Sequence, residues 1–371
     1  MHDLFKKISE LDSDKEQREI GLMLYSKERN IRVKIDAKKV AKGQFNTTSD
    51  TWFLPQIKEF ILKSGRSRCL DPFAGKGDIL NLIKNECGLE TVGLDIDPNL
   101  GWDLNDSLLN IPIEYKDCII ITNPPYLAKY SASRKGVFKN LESYYSKWDD
   151  LYMQALDRCL EHNDYVVAII PETFINSDYV KQHCVSISVV LKNPFIDTDC
   201  PVCVVCLTKD KRPFDLIKVY IDEEEISTYG KLLEHKLTPD SSLKIKFNDK
   251  NGNIGLRAVD LTCANDKIQF LMPDDLKYSR DDIKISSRLI TFLSINGVSD
   301  KNIISDIITE SNKILNQWRY ETRDIMLSPF KGNAKDGTRR RRLDYRSARA
   351  ILERAYKKVC NEKQQSTFWE L

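Results

Sequence analysis

Several things are missing from this sequence, and each absence narrows what it can be. No run approaches the roughly 18 apolar residues that a membrane span requires, so a helical membrane protein is not expected. The charged N-terminal stretch has no apolar core and no small-residue cleavage site, and no secretory signal is expected. The ten cysteines are scattered. Without a signal they should stay reduced, and the expected compartment is the cytoplasm. Net charge is only +2, so the whole-chain field does not reveal a polyanionic partner. There is no internal repeat and no low-complexity tract.

What remains is ordinary globular material. The 371 residues are 41% hydrophobic and 30% charged, enough for a full core. Residues 1–40 are charged and weakly periodic, reading as a helical extension. From about Gly43 to Lys209 short apolar runs alternate with helical stretches. Strands are expected over 67–70, 91–94, 118–122, 165–170, 186–191 and 202–208, and helices over 52–63, 79–85 and 149–160. Most strand candidates lack alternation, as in strands buried on both faces of a parallel sheet. Strand and helix alternating in this way predict an α/β fold with a doubly wound, mostly parallel sheet. The division expected is an extension over 1–40, a catalytic domain over 41–215 and a mixed α+β region over 216–371. In the last region the turn-rich segment from Asn248 to Asn253 and an amphipathic helix over 301–318 stand out. Its end is basic: Arg319 to Lys358 holds 13 Lys/Arg against 5 Asp/Glu.

After the first strand comes Asp71-Pro72-Phe73-Ala74-Gly75-Lys76-Gly77-Asp78. Two glycines one residue apart, between strand and helix, allow a tight turn and close approach to a ligand. The phosphate-loop pattern is absent because Gly77, not Ser or Thr, follows Lys76. The third glycine of a dinucleotide loop is also absent, Leu80 standing in its place. Asp95, at the end of the second strand, is placed to accept hydrogen bonds from a ribose diol. Asp106, one step further on, is a candidate for the amino group of a nucleoside.

The buried run from Cys118 to Thr122 leads straight into Asn123-Pro124-Pro125-Tyr126. Ligands sit beyond the carboxyl ends of strands in such sheets. The two prolines fix φ and remove backbone donors, leaving the Pro124 carbonyl rigidly aimed. With the Asn123 side-chain oxygen it forms a pair of neutral acceptors for both protons of a planar NH2. Those bonds draw the nitrogen towards tetrahedral geometry and free its lone pair for attack on a sulfonium methyl. Tyr126 supplies a flat face. No strong general base is required, and none stands near the motif.

These motifs, in this order, resemble those of the N6-adenine DNA methyltransferases of the gamma class found in restriction–modification systems. The resemblance covers about Gly43 to Lys209. It implies a Rossmann-like methyltransferase fold, S-adenosylmethionine as cofactor and a target-recognition region at the end of the chain. It places Thr47, Asp71, Phe73, Ala74, Gly75, Asp95, Ile96, Asp106, Ser107, Asn123 and Pro125 at the cofactor, and Asn123, Pro124 and Tyr126 at the reaction. Thr48 stands where the family often has Pro. Phe195, in Asn193-Pro194-Phe195, takes the place of an aromatic set against a base flipped out of the duplex, giving a second stacking wall opposite Tyr126.

The resemblance implies double-stranded DNA as substrate and a restriction endonuclease acting on the same site. DNA contacts are expected from a flexible basic loop with Lys129, Arg134, Lys135 and Lys139, and from Arg339, Arg340, Arg341, Arg342 and Arg346. The same motif also serves RNA bases and protein glutamine, whose amide NH2 makes the same demands. Cys200, Cys203 and Cys206 repeat every third residue, but that spacing alternates faces in a strand, and no metal site is expected.

Overall fold

The computed structural model describes Thr47 and residues 50–195, 198–263 and 266–369. The 1–40 extension expected from the sequence, and the residues just before Thr47, lie outside them.

The main sheet is built from nine strands: β1 (Arg68–Asp71), β2 (Glu90–Asp95), β3 (Asp103–Leu104), β4 (Ile119–Thr122), β5 (Tyr165–Pro171), β6 (Cys184–Val190), β7 (Val202–Thr208), β8 (Lys218–Ile221) and β9 (Glu224–Thr228). Their order is β3-β2-β1-β4-β5-β7-β6-β8-β9. The first five run parallel, as in a dinucleotide-binding sheet. β7 then inserts antiparallel between β5 and β6. This is the Rossmann-like, doubly wound and mostly parallel sheet expected from the sequence. All six expected strands are present, within one or two residues at their ends. β4, β5 and β7 are almost wholly buried, which is why their sequences are unbroken apolar runs rich in β-branched residues.

The helices that cover this sheet follow simple local rules. α1 (Pro55–Lys63) begins at a proline, whose fixed φ suits the first helical position. α2 (Asp78–Cys87) is bounded by glycines in the left-handed conformation, Gly77 and Gly88. After the short α3 (Lys129–Arg134), α4 (Leu151–His162) buries Leu151, Tyr152, Ala155, Leu156 and Cys159, a stripe at helical spacing.

The sheet continues past residue 215, since β8 and β9 extend it at the β6 edge. The expected boundary there is therefore not a break in the sheet. After α5 (Tyr229–Glu234) the chain forms a four-stranded antiparallel sheet of β10 (Ile245–Phe247), β11 (Ile254–Arg257), β12 (Gln269–Leu271) and β13 (Ile290–Ile295), ordered β10-β13-β11-β12. The expected turn from Asn248 to Asn253 joins β10 to β11. α6 (Lys301–Glu321) packs on β12, and a hairpin of β14 (Ser328–Asn333) and β15 (Arg339–Arg342) leads into α7 (Tyr345–Trp369). One hydrophobic core is continuous from the main sheet into this second unit. Among the described residues no helix is long and apolar enough to cross a membrane.

Candidate active site

The carboxyl ends of β1, β2, β4, β5 and β6 share one edge, and the loop entering β7 returns to it. Asp71 closes β1 and is buried, accepting hydrogen bonds from the Thr122 hydroxyl (2.6 Å) and the Phe73 amide (3.0 Å). It thereby ties the glycine turn to the strand end that precedes Asn123. Burial raises the Asp71 carboxyl to about 7, with repulsion from Asp95 adding to it and the two hydrogen bonds opposing it. The fold holds this proton up to about pH 7, whereas the unfolded chain releases it near pH 4. Asp71 therefore contributes most to stability below pH 4, and that contribution is lost as pH rises to 7. The melting temperature of Asp71→Asn relative to wild type should accordingly be higher at pH 8 than at pH 5. An equal difference at both values would contradict this assignment.

Asp95 is buried at the end of β2. One of its oxygens accepts from the Gly75 amide and the other from the Asp97 amide, both at 2.9 Å. Each oxygen retains a further lone pair. The two glycines of the turn turn out to serve different purposes. At Gly77 (φ +82°) an added Cβ would stand 2.7 Å from the Trp102 ring, and at Gly93 it would stand 2.6 Å away. Gly77 and Gly93 thus make room for Trp102, whose indole nitrogen donates to the Gly75 carbonyl at 2.8 Å. At Gly75 (φ +54°) the nearest atom to such a Cβ is 4.0 Å away, so this face of the turn is open. Trp102 is the residue that sequence reasoning missed here. Only the close ring contact with two glycines separated in sequence exposes its role.

Asp106 accepts a hydrogen bond from the Tyr144 hydroxyl and one from the Leu108 amide (3.3 Å). Burial, followed by that hydrogen bond to Asp106, pushes the Tyr144 phenol up to about 12. Ser107 is buried and accepts from the Asn105 side chain at 2.8 Å. Phe73 and Pro125 are half-buried, Ala74 is buried, and Ile96 is 51% exposed.

Beyond β4, Asn123 is half-buried and Pro124 buried. The Tyr126 hydroxyl lies within hydrogen-bond reach of the Asn123 side-chain oxygen and of the Ile169 carbonyl, the latter at 2.6 Å. A phenol has one proton and serves one acceptor at a time. Burial holds the Tyr126 phenol well above its usual value, so it stays protonated. Tyr126 and Phe195 are brought together as expected, but not as parallel walls. Their rings meet edge to face, with centroids 6.1 Å apart and planes at 68°. A planar ring held between two faces needs them parallel and about 7 Å apart. The expected slot is closed in this conformation.

Thr47 forms an isolated bridge with Phe195, which sets it beside the aromatic pair. Its hydroxyl is buried without a hydrogen-bond partner among the described residues. The open face of Gly75, the spare acceptor capacity of Asp95 and the orphaned Thr47 hydroxyl all fit S-adenosylmethionine, which carries a ribose diol, an ammonium and a carboxylate.

The basic residues are arranged otherwise than expected. Lys129 and Arg134 bound α3, with Lys135 as its C-cap, so this segment is helical and not a flexible loop. Ala132 anchors it in a small core with Leu108, Leu127, Tyr145, Leu151 and Ala155. The run from Arg339 to Arg342 divides because β15 points alternate side chains to opposite faces. Arg339 and Arg341 are buried and ion-paired with buried Glu172, immediately after β5. They are internal groups and not the DNA-facing surface expected from the sequence. Arg340 lies over the Phe330 ring, 4.8 Å from its centroid, and donates to the Asp260 carbonyl. Arg342 and Arg346 lie further along, at a separate cleft.

The same hairpin clamps the loop that carries Phe195. The Arg339 guanidinium donates to the Val190 carbonyl, the Asn333 amide to the Leu191 carbonyl (3.1 Å) and the Gly332 amide to the Asp199 carbonyl (3.4 Å). Lys331, on this hairpin, adds to burial and Arg134 in lowering the Lys135 ammonium pKa. Glu172 gives no sequence signal, because its partners lie 167 and 169 positions away.

No family model matches the chain, and no curated protein does. Among solved structures it is similar to the type I restriction-modification system methyltransferase subunit from Streptococcus thermophilus (16% identity, 52% of each chain, TM-score 0.35). It is also similar to TrmN from Thermus thermophilus (15% identity, 42% of this chain and 48% of that one, TM-score 0.24). A third is a putative methyltransferase from Porphyromonas gingivalis W83 (10% identity, 54% and 52%, TM-score 0.29). The chain spans about half the length of these proteins.

Proposed function

We propose that this protein is an S-adenosylmethionine-dependent methyltransferase that modifies N6 of adenine in double-stranded DNA, as the modification enzyme of a restriction–modification system. The observation that carries this reading is the placement of Asn123 and Pro124. They follow a strand end that is hydrogen-bonded through Thr122 to Asp71, at the base of the glycine turn.

Asp95 accepts from the ribose hydroxyls, Thr47 binds the amino-acid end, and the open face of Gly75 allows the cofactor against the backbone. S-adenosylmethionine, when bound, supplies an electrophilic methyl group. The Asn123 oxygen and the Pro124 carbonyl accept the two N6 protons and rehybridise the nitrogen, so that its lone pair points at that methyl. Tyr126, whose hydroxyl donates to the Ile169 carbonyl, stacks on the base. The methylated nitrogen is strongly acidic and loses its proton to water without a dedicated base. Entry of the base between Tyr126 and Phe195 requires the two rings to part.

The test is a transfer assay with methyl-labelled S-adenosylmethionine and separate duplex DNA, RNA and protein acceptors. Label is expected in DNA, as N6-methyladenine at a defined sequence. Label entering only RNA or only glutamine side chains would overturn the substrate and leave the NH2 chemistry in place.

A further inference from the structure

Away from the catalytic edge, a cleft of about 420 Å³ lies between the loop that precedes β13 and the start of α7. Its lining includes Arg288, Arg342, Arg346, Tyr345, Phe247 and Ser287. None of the three arginines has an ion-pair partner among the described residues. The one carboxylate in the lining, Asp344, caps α7 by accepting from the amide and the hydroxyl of Ser347, both at 2.9 Å.

The surroundings are rigid. Phe247 stacks on Tyr345 with centroids 4.4 Å apart and planes at 16°, and Arg349 lies over Phe247 while donating to the Leu243 and Ile245 carbonyls. The Tyr345 hydroxyl donates to the Ser287 carbonyl at 2.6 Å, and the Asn248 amide donates to the Ile285 and Ser287 carbonyls. Arg288 is therefore carried on a loop whose backbone is already held. Three guanidinium groups lining one cleft, against the single carboxylate of Asp344 and beside a braced aromatic pair, are complementary to a phosphate. The same loop presents Ile285, 99% exposed, and an apolar tip beside cations is the composition of loops that enter a DNA groove.

We propose that this cleft is a DNA-contact site in which Arg288, Arg342 and Arg346 grip a backbone phosphate of the duplex. The proposal rests on the DNA reading above and adds a site to it. Arg288 comes from a part of the sequence with no basic run. The contact is through phosphate, so it supplies grip and register without reading bases.

The test measures binding of the full chain to a labelled duplex oligonucleotide by fluorescence anisotropy across a salt series. Arg288 and Arg346 are exposed, so Arg288→Gln/Arg346→Gln should melt like wild type. It should bind at least tenfold more weakly, and the slope of log affinity against log salt should fall by about 1. Arg158→Gln, at a half-buried ion-paired site on α4, serves as the charge control and should leave the slope unchanged. If wild type methylates and binds duplex DNA while the double variant matches it in affinity and slope, the cleft assignment falls and the proposed function stands. If wild type neither binds nor methylates duplex DNA, both fall. If the variant loses binding of inorganic phosphate but keeps full duplex affinity, the cleft is a free-anion site and the proposal is overturned.

Discussion

Asn123→Ala is expected to lower kcat for methyl transfer by about 10²–10³-fold, the usual cost of removing one aimed hydrogen-bonding group from a preorganised site. Cofactor affinity should stay within a few-fold, because the residues assigned to S-adenosylmethionine sit mainly on β1, β2 and their turns. The physical reason lies in the planar amine. Its lone pair is delocalised into the ring, and two fixed acceptors are needed to localise it. In the proposed reaction Pro124 supplies one as a carbonyl and Asn123 the other, just beyond the end of a fully buried strand. Asn123→Asp keeps an acceptor oxygen and should retain more activity than the alanine variant, a ranking that a purely structural role would not produce. Tyr126→Phe should have a smaller effect on rate, but it leaves the Ile169 carbonyl without its partner and should cost about 1–3 kcal/mol of stability. A rate for Asn123→Ala within threefold of wild type would falsify the assignment of this group.

The largest effect on stability is expected at Glu172. Its side chain is 1% exposed, and it faces Arg341 and Arg339, themselves 2% and 8% exposed. One Glu172 oxygen accepts from Arg341. The other lies 3.2 Å from the Arg339 Nε, an ion pair whose angle does not make a hydrogen bond. Glu172→Ala leaves two guanidinium groups buried beside a lost counter-charge and should cost about 3–5 kcal/mol. The loss would appear as a lower denaturant midpoint at unchanged slope. Since the damage comes from unpaired charge, adding Arg341→Met to Glu172→Ala should recover part of it, a coupling that a double-mutant cycle measures. Activity should also fall, because the clamped loop bears Phe195. A loss under about 1 kcal/mol would show that the cluster is not what holds the hairpin.

The core of the main sheet was legible because burial on both faces leaves an unmistakable mark on a short strand: Ile119–Thr122 and Val202–Thr208 can hardly be read otherwise. The turn after β1 was legible because glycines and acids sit at spacings that local geometry dictates. The basic run from Arg339 to Arg342 misled for a related reason. Composition reports how many charges a segment carries, while a strand's two-residue period sends neighbouring side chains to opposite faces. Whether the inward face meets solvent or a buried carboxylate depends on Glu172, far away in the chain. Lys129 to Lys135 misled in the opposite direction, since nothing local reveals that Ala132 has a core to dock into.

Alone, then, the sequence determined the alternation of strand and helix, the order of the motifs and the placement of Asn123 and Pro124 straight after a buried strand. These depend on periodicity and on residues adjacent in the chain. Tertiary structure alone decided that Gly77 and Gly93 serve Trp102 while Gly75 stays open, and that Tyr126 meets Phe195 edge to face. It also decided that the arginine run divides between a buried ion pair and an open cleft. Each of these joins residues distant in sequence, and burial, pairing and ring geometry exist only once such residues have met.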